Sequence, residues 1–282
     1  MQGFDLFANA AAGSDSLALE RGAMLIGAHG VCAREPGFPL PERDELEFVM
    51  HRTEHSLDQL ATEVQAASAG HATVPSLMHH LFGIGRFVRF VGNQSDYYDP
   101  ENSLLPRVLE RGTGNPIALS CLAIAVGRRV GIELVGVGMP AHFLMRTTSA
   151  TPRWIDPFAH GQVMSGEEVR AFFATVTGGR TPFHPSYIEP TPTPHILARM
   201  LANLQAIHSK QGNVHQLTWL GALSCALPAS RPGATALAAR RVEELGRFDV
   251  AAQLLDFASE HSAGSDREAL ESEAERIWAR MN

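Results

Sequence analysis

The sequence predicts an α+β fold in which helices pack against a small, mainly antiparallel sheet and an all-helical tail follows. Three observations carry that prediction. Helical periodicity dominates from Glu42 to Val130, short strand-like stretches replace it between Leu134 and Ile155, and beyond a proline-rich segment it returns and persists. The chain has 282 residues, 45% hydrophobic and 19% charged, enough to bury one sizeable core or two modest ones.

Taken in order, the opening is rich in Ala, Gly and Ser, with one short apolar helix near Leu17–Ala28. Cys32–Pro41, with Pro36, Pro39 and Pro41, reads as a connector. From Glu42 to Ala67 the apolar residues Leu46, Val49, Met50, Leu57, Leu60 and Val64 fall on one helical face, with a break expected near Thr53–Ser56. Leu77–Val91 repeats the pattern, weakened in its middle by Gly83 and Gly85. A polar, turn-rich stretch around a short helix leads to Gly114-Asn115-Pro116, which reads as a helix start because Asn caps well and Pro suits the first helical position. Ile117–Val130 is apolar almost all round and is expected to be buried on several sides. Leu134–Val137, His142–Thr147 and Arg153–Ile155 look like strands, and Gly166–Val176 returns to helix.

Residues 179–194 hold Pro182, Pro185, Pro190, Pro192 and Pro194 and form the clearest linker. The chain thus divides into a variable N-terminal segment (1–41), a core domain (42–178), the linker (179–194) and a helical tail (195–282). The tail reads as helices over His195–Lys210, Val214–Ala226, Ala234–Leu245, Phe248–Glu260 and Arg267–Met281, with breaks at Gly212, Pro228/Pro232 and Gly246. Gly212 and Gly246 stand 34 residues apart, the period of a tetratricopeptide repeat. Two such units are fewer than the roughly three a free stack needs, so the tail is expected to dock on the preceding domain.

The net charge of -7 and pI near 6.0 argue against nucleic acid or anionic lipid as partner, and no Lys/Arg-rich run offsets them. Cys32, Cys121 and Cys225 are odd in number and contain no CxxC pair, which argues against a disulfide framework or a cysteine-rich zinc site. The start MQGFDLFANAAAGSDS lacks the basic and long apolar regions of a signal peptide. No stretch reaches the ~18 apolar residues of a membrane helix. The expectation is a cytoplasmic protein without cofactor, metal or membrane partner.

Three constellations could carry chemistry. His51-Arg-Thr-Glu-His55 matches the inverted zinc-protease spacing, with Glu54 as base. Taking Leu46 as zero, however, His51 and His55 lie at about 140° and 180°, away from the apolar face, so a solvated helix face is the better reading. His79 and His80, with His71 nearby, point about 100° apart if helical and cannot share one metal without distortion. The third is His142 with Asp156. A hairpin turning near Ser149 would pair residues whose numbers sum to about 298, which sets the two opposite each other with Cβ atoms about 5 Å apart. That is either the base and orienter of a nucleophilic triad or a structural His–Asp pair tying two strands.

DYYDPENSLL, VLERGTGNPIALS, GVGMPAHFLMR and WIDPF, in that order from Asp96 to Phe158, resemble the SirB-type transglutaminase-like family. Its members join a transglutaminase/papain-like core to tetratricopeptide-like helices, and HILARMLANLQAIHSKQGN resembles the first tail helix. The resemblance is looser over Glu42–Asn93 and over the rest of the tail. It implies a cysteine opening the central helix, with His142 and Asp156 in the base and orienter roles. Counting back from Gly131, that cysteine position falls at about Pro116, which carries no nucleophile. Ser120, four residues on, lies about 40° from the original direction, and Cys121 about 140° from it. Two functions follow. In one, the core has lost nucleophilic chemistry and works with the tail as a protein-interaction or regulatory module with a protein or peptide partner. In the other it is a hydrolase or acyltransferase using Cys121 or Ser120, with His142 and Asp156.

Overall fold

The computed structural model describes residues 2–33, 40–83, 88–227 and 233–281. Residues 36 and 39 of the expected connector, Gly85, and the Pro228/Pro232 break lie outside the described residues. Two helices open the chain, α1 (Gln2–Ala12) and α2 (Ser16–Cys32), followed by α3 (Arg43–Ala67) and α4 (Val74–Phe82). A short parallel ladder joins β1 (Val91–Gly92) to β2 (Thr113–Gly114), with α5 (Leu105–Arg111) between them. Then come α6 (Pro116–Arg129), the strands β3 (Leu134–Val137), β4 (Leu144–Thr147), β5 (Trp154–Asp156) and β6 (Gln162–Met164), and α7 (Gly166–Val176). The tail comprises α8 (Thr193–Gln211), α9 (Val214–Cys225), α10 (Gly233–Glu244), α11 (Phe248–Glu260) and α12 (Gly264–Ala279).

The α+β expectation holds. Strands β3 to β6 form one antiparallel meander in sequence order, and strand alternation gives each face its own core. Leu134, Met145 and Ile155 join the main apolar core, which also contains α6 and reaches from Phe4 to Ile277. Val137, Leu144, Trp154 and Met164 face the other way, onto Val169 and Phe173 of α7 and onto Ile188. The sheet is therefore covered on both sides.

Some elements depart from the sequence reading. The N-terminal segment contributes α1 as well as α2, and α2 is buried over most of its length. It lies close enough to α8 that a Cβ on Gly22 would stand 2.5 Å from Leu197. α3 runs without a break, because Thr53 and Ser56 turn their hydroxyls back onto the Val49 and Arg52 carbonyls rather than ending the helix. In the tail, Gly212 and Gly246 close α8 and α10 in the left-handed region, at φ +66° and +82°. The same pair of bonds surrounds each, Gly212 N–H to Ser209 and Asn213 N–H to His208, Gly246 N–H to Glu243 and Arg247 N–H to Val242. Helices α8 and α9 pack against α1 and α2, so the tail is docked. Among the described residues, no helix is long and apolar enough to cross a membrane.

Candidate functional site

The start of α6 is built as its sequence implies. Asn115 caps the helix through its Oδ1, which accepts from Ala118 N–H at 2.9 Å, while its Nδ2 donates to Ser103 Oγ at 2.7 Å. Asn102, almost fully buried, ties this turn to the preceding loop. Its Nδ2 donates to the Asp96 carbonyl, its Oδ1 accepts from Asn93, and its own carbonyl accepts Asn115 N–H. The loop is thereby fixed with Tyr97 and Tyr98 on its outer side.

His142 and Asp156 meet: Nε2 of the imidazole lies 2.9 Å from Asp156 Oδ2. The sequence register is off by two residues. Met145 pairs with Ile155 and Arg146 with Trp154, numbers that sum to 300 rather than 298. His142 precedes β4 and sits diagonally from Asp156, within reach of side chains rather than directly opposite. Asp156 is buried, and its other oxygen accepts from Phe158 and Ala159 N–H. The imidazole stands edge-on between Phe158 and Phe172, with ring centroids at 6.3 and 5.3 Å. Phe158 is itself held close by β1, where a Cβ on Gly92 would stand 2.4 Å from its ring.

Sequence reasoning missed Arg199 of α8. Its guanidinium donates to the Met139 carbonyl at 2.9 Å and to the His142 carbonyl at 3.0 Å, pinning the turn that delivers His142. Burial lowers its basicity. A lone arginine on a tail helix carries no sequence mark of such a role.

The nucleophile candidates lie elsewhere. Ser120 is fully buried and donates its hydroxyl to the Pro116 carbonyl at 2.8 Å, one turn back in its own helix. Cys121 is fully buried in the main core, and burial pushes its thiol up to about 12. Neither side chain hydrogen-bonds His142 among the described residues. By strand alternation Asp156 shares the face of Trp154, toward α7, whereas Cys121 belongs to the main core that Ile155 joins from the opposite face. His51 and His55 are exposed on α3, where His55 bonds Gln59. His79 and His80 fall at the end of α4, and His80 approaches Glu63 at 3.5 Å.

Residues 51–202 match the family model of the transglutaminase-like superfamily. The chain is 36% identical over 174 residues to a UPF0162 protein of Xylella fastidiosa (strain 9a5c), covering 60% of this chain and 59% of that protein. It is 30% identical over 195 residues to a UPF0162 protein of Pseudomonas aeruginosa, covering 69% of this chain and 66% of that one. A shorter stretch, 29% of this chain, is 33% identical over 90 residues to F-box only protein 21 of Homo sapiens, 14% of whose length it covers. The matches to the two UPF0162 proteins thus span less than two thirds of those relatives' own length. No solved structure matches.

Proposed function

The chain belongs to the transglutaminase-like superfamily, and from that premise we propose that it is a non-catalytic member acting as a protein-interaction or regulatory module. One observation carries the reading. The only thiol and hydroxyl side chains on α6, Cys121 and Ser120, are both buried, one in apolar surroundings that disfavour a thiolate and the other hydrogen-bonded within its own helix. The helix opening, where the family resemblance puts the nucleophile, carries Asn115 and Pro116 instead, and both polar ends of the Asn115 side chain are already bonded. In this reading His142 and Asp156 are a structural clasp. The SirB-type motifs and the matching turns at Gly212 and Gly246, which suit tetratricopeptide-like helix pairs, support the interaction half of the proposal.

The hydrolase or acyltransferase alternative has the His142–Asp156 pair in its favour, since a carboxylate that orients an imidazole is half of a triad. It requires Cys121 or Ser120 to leave the core. Iodoacetamide labelling at pH 7.5 separates the two. In the native protein Cys121 is expected to label at least about a hundredfold more slowly than in urea-unfolded chain. Rapid native labelling of Cys121, or an acyl group found on Cys121 or Ser120 after incubation with an activated ester, would overturn the non-catalytic reading.

A further inference from the structure

The chain holds a single lysine, Lys210, and it lies on α8 beside the loop that fixes the two tyrosines. A cavity of about 280 Å³ opens there between Tyr97 and Tyr98 on one wall, Asn203, Ile207 and Lys210 of α8 on the other, and Asn115 at its floor. Arg199, Asn203, Ile207 and Lys210 fall at i, i+4, i+8 and i+11, one helical face. The cavity adjoins the His142 site through a relay of edge-on rings: Tyr97 meets Phe158 at 5.9 Å, and Phe158 meets His142.

Four polar groups of this cavity have little to bond, whereas Asn115 at its floor is already satisfied. The hydroxyls of Tyr97 and Tyr98 and the Asn203 amide make no hydrogen bond to protein among the described residues. Lys210 Nζ has no carboxylate partner there and rests 5.2 Å above the Tyr98 ring. Burial pushes the Tyr97 phenol up, so it stays a donor. Donors and one uncompensated cation therefore converge in a chain whose net charge is -7, and between them lie Ile207, Ala206 and two aromatic rings. The cavity lies just below the ~300–1,000 Å³ range of ligand pockets, sized for a few side chains.

We propose that this cleft docks a peptide segment of a partner protein that carries an acidic side chain next to an apolar one. The carboxylate is taken by Lys210 with the tyrosine hydroxyls and Asn203, and the apolar side chain lies against Ile207 and the rings. A phosphate fits less well. Phosphate recognition favours guanidinium forks, and Arg199, on the same helical face, is already committed to the Met139 and His142 carbonyls. The proposal rests on the interaction reading above and names the chemistry of its partner.

The lone lysine makes the test direct. Apart from the N-terminal amine, Lys210 is the only primary amine, so its acylation by N-hydroxysuccinimidyl acetate, read by mass spectrometry, reports occupancy of the cleft. Random decapeptides displayed on phage are panned over the full chain, and the enriched ones are synthesised. Enriched peptides are expected to carry Glu or Asp beside Leu, Ile or Phe, and to slow Lys210 acylation roughly tenfold at saturation. Replacing the peptide's acid with its amide, or making Lys210→Glu or Tyr98→Ala, is expected to weaken binding roughly tenfold or more, about 1.4 kcal/mol. Lys210→Arg is expected to keep most of it. Both positions are exposed, and circular dichroism confirms that the variants fold.

The proposal is overturned if no panned peptide shields Lys210, if amide peptides bind as well as acidic ones, or if inorganic phosphate alone shields Lys210 equally. The two readings fail separately. A peptide that shields Lys210 but is recovered cleaved or acylated supports docking and defeats the non-catalytic reading. Intact peptides with Lys210 unshielded defeat docking and leave the non-catalytic reading standing.

Discussion

Glu20 and Arg129 meet as a buried fork. Both oxygens of the Glu20 carboxylate, itself 2% exposed, accept from the Arg129 guanidinium, at 2.7 and 2.8 Å. Arg128 donates to the same carboxylate at 2.9 Å, and Arg129 reaches Asp58 of α3 as well. One acid on α2 thus locks the C-terminal end of α6, where cations also suit the helix dipole. Glu20→Gln is expected to destabilise the protein by about 3 kcal/mol, because it takes the buried charge partner from the largely desolvated Arg129 guanidinium and leaves it only the exposed Asp58. Urea midpoints for the two proteins check this, and a loss below about 1 kcal/mol would mean that water replaces the carboxylate.

His29 sets a pH limit on stability. Its Nδ1–H donates to the Leu25 carbonyl at 2.8 Å, its Nε2 is buried without a partner among the described residues, and its ring stacks near Trp219. Burial lowers it to about 4 from an ordinary 6.5. Below pH 6.5 the unfolded chain therefore binds a proton that the folded one refuses, so stability is full above that pH and falls as pH drops toward 4. Between pH 7 and pH 5 the loss from this group is about 2 kcal/mol. His29→Leu should flatten that part of the profile, and a variant with the wild-type slope would assign the loss to other groups.

The turn that delivers His142 carries strain. His142 N–H closes it onto the Met139 carbonyl at 3.2 Å, with Pro140 and Ala141 as central residues and Ala141 at φ +63°. That second position calls for glycine. Ala141→Gly relieves about 1–2 kcal/mol of left-handed strain and loses about 0.4–1 through a freer unfolded chain, for a net gain of roughly 0.5 kcal/mol. Thermal unfolding reads the sign, and a fall in melting temperature would show that the surrounding contacts already favour Ala141.

Much of this arrangement was legible because it depends on local signals. Asn115-Pro116 announces the start of α6, Phe248–Glu260 is amphipathic along its whole length, and Gly212 and Gly246 mark turns that need a left-handed residue. β6 was not legible, since Gln162-Val163-Met164 is three residues on a sheet edge with one side chain buried. Nor was the central place of α2: its apolar residues surround the helix, and its partner Arg129 lies 109 residues away. The hairpin register failed by two because the turn between Thr147 and Arg153 is closed by Thr147 N–H to the Arg153 carbonyl, a detail that spacing does not encode. For the site, His142 and Asp156 could be paired from strand reasoning, but the burial of Ser120 and Cys121 and the grip of Arg199 on the His142 carbonyl are tertiary facts.

The His142–Asp156 contact can be asked directly what it does. Asp156→Asn keeps an oxygen for the Phe158 and Ala159 N–H groups, and its amide can still face Nε2, so it removes charge more than contact. His142→Phe fits between Phe158 and Phe172 but leaves the Asp156 carboxylate with a buried, unmatched oxygen, at a cost of about 1–3 kcal/mol. In the double variant the charge is gone as well, so the Phe substitution should hurt less than it does alone. A clasp therefore predicts a coupling of roughly 1–2 kcal/mol in a double-mutant cycle on unfolding free energy. It also predicts that none of the three variants changes the slow native labelling of Cys121, because the thiol lies across the sheet from the pair. Additivity within about 0.5 kcal/mol would remove the clasp, and a labelling rate that tracked His142 would mean that the imidazole reaches Cys121 in some populated state, which a clasp alone does not require.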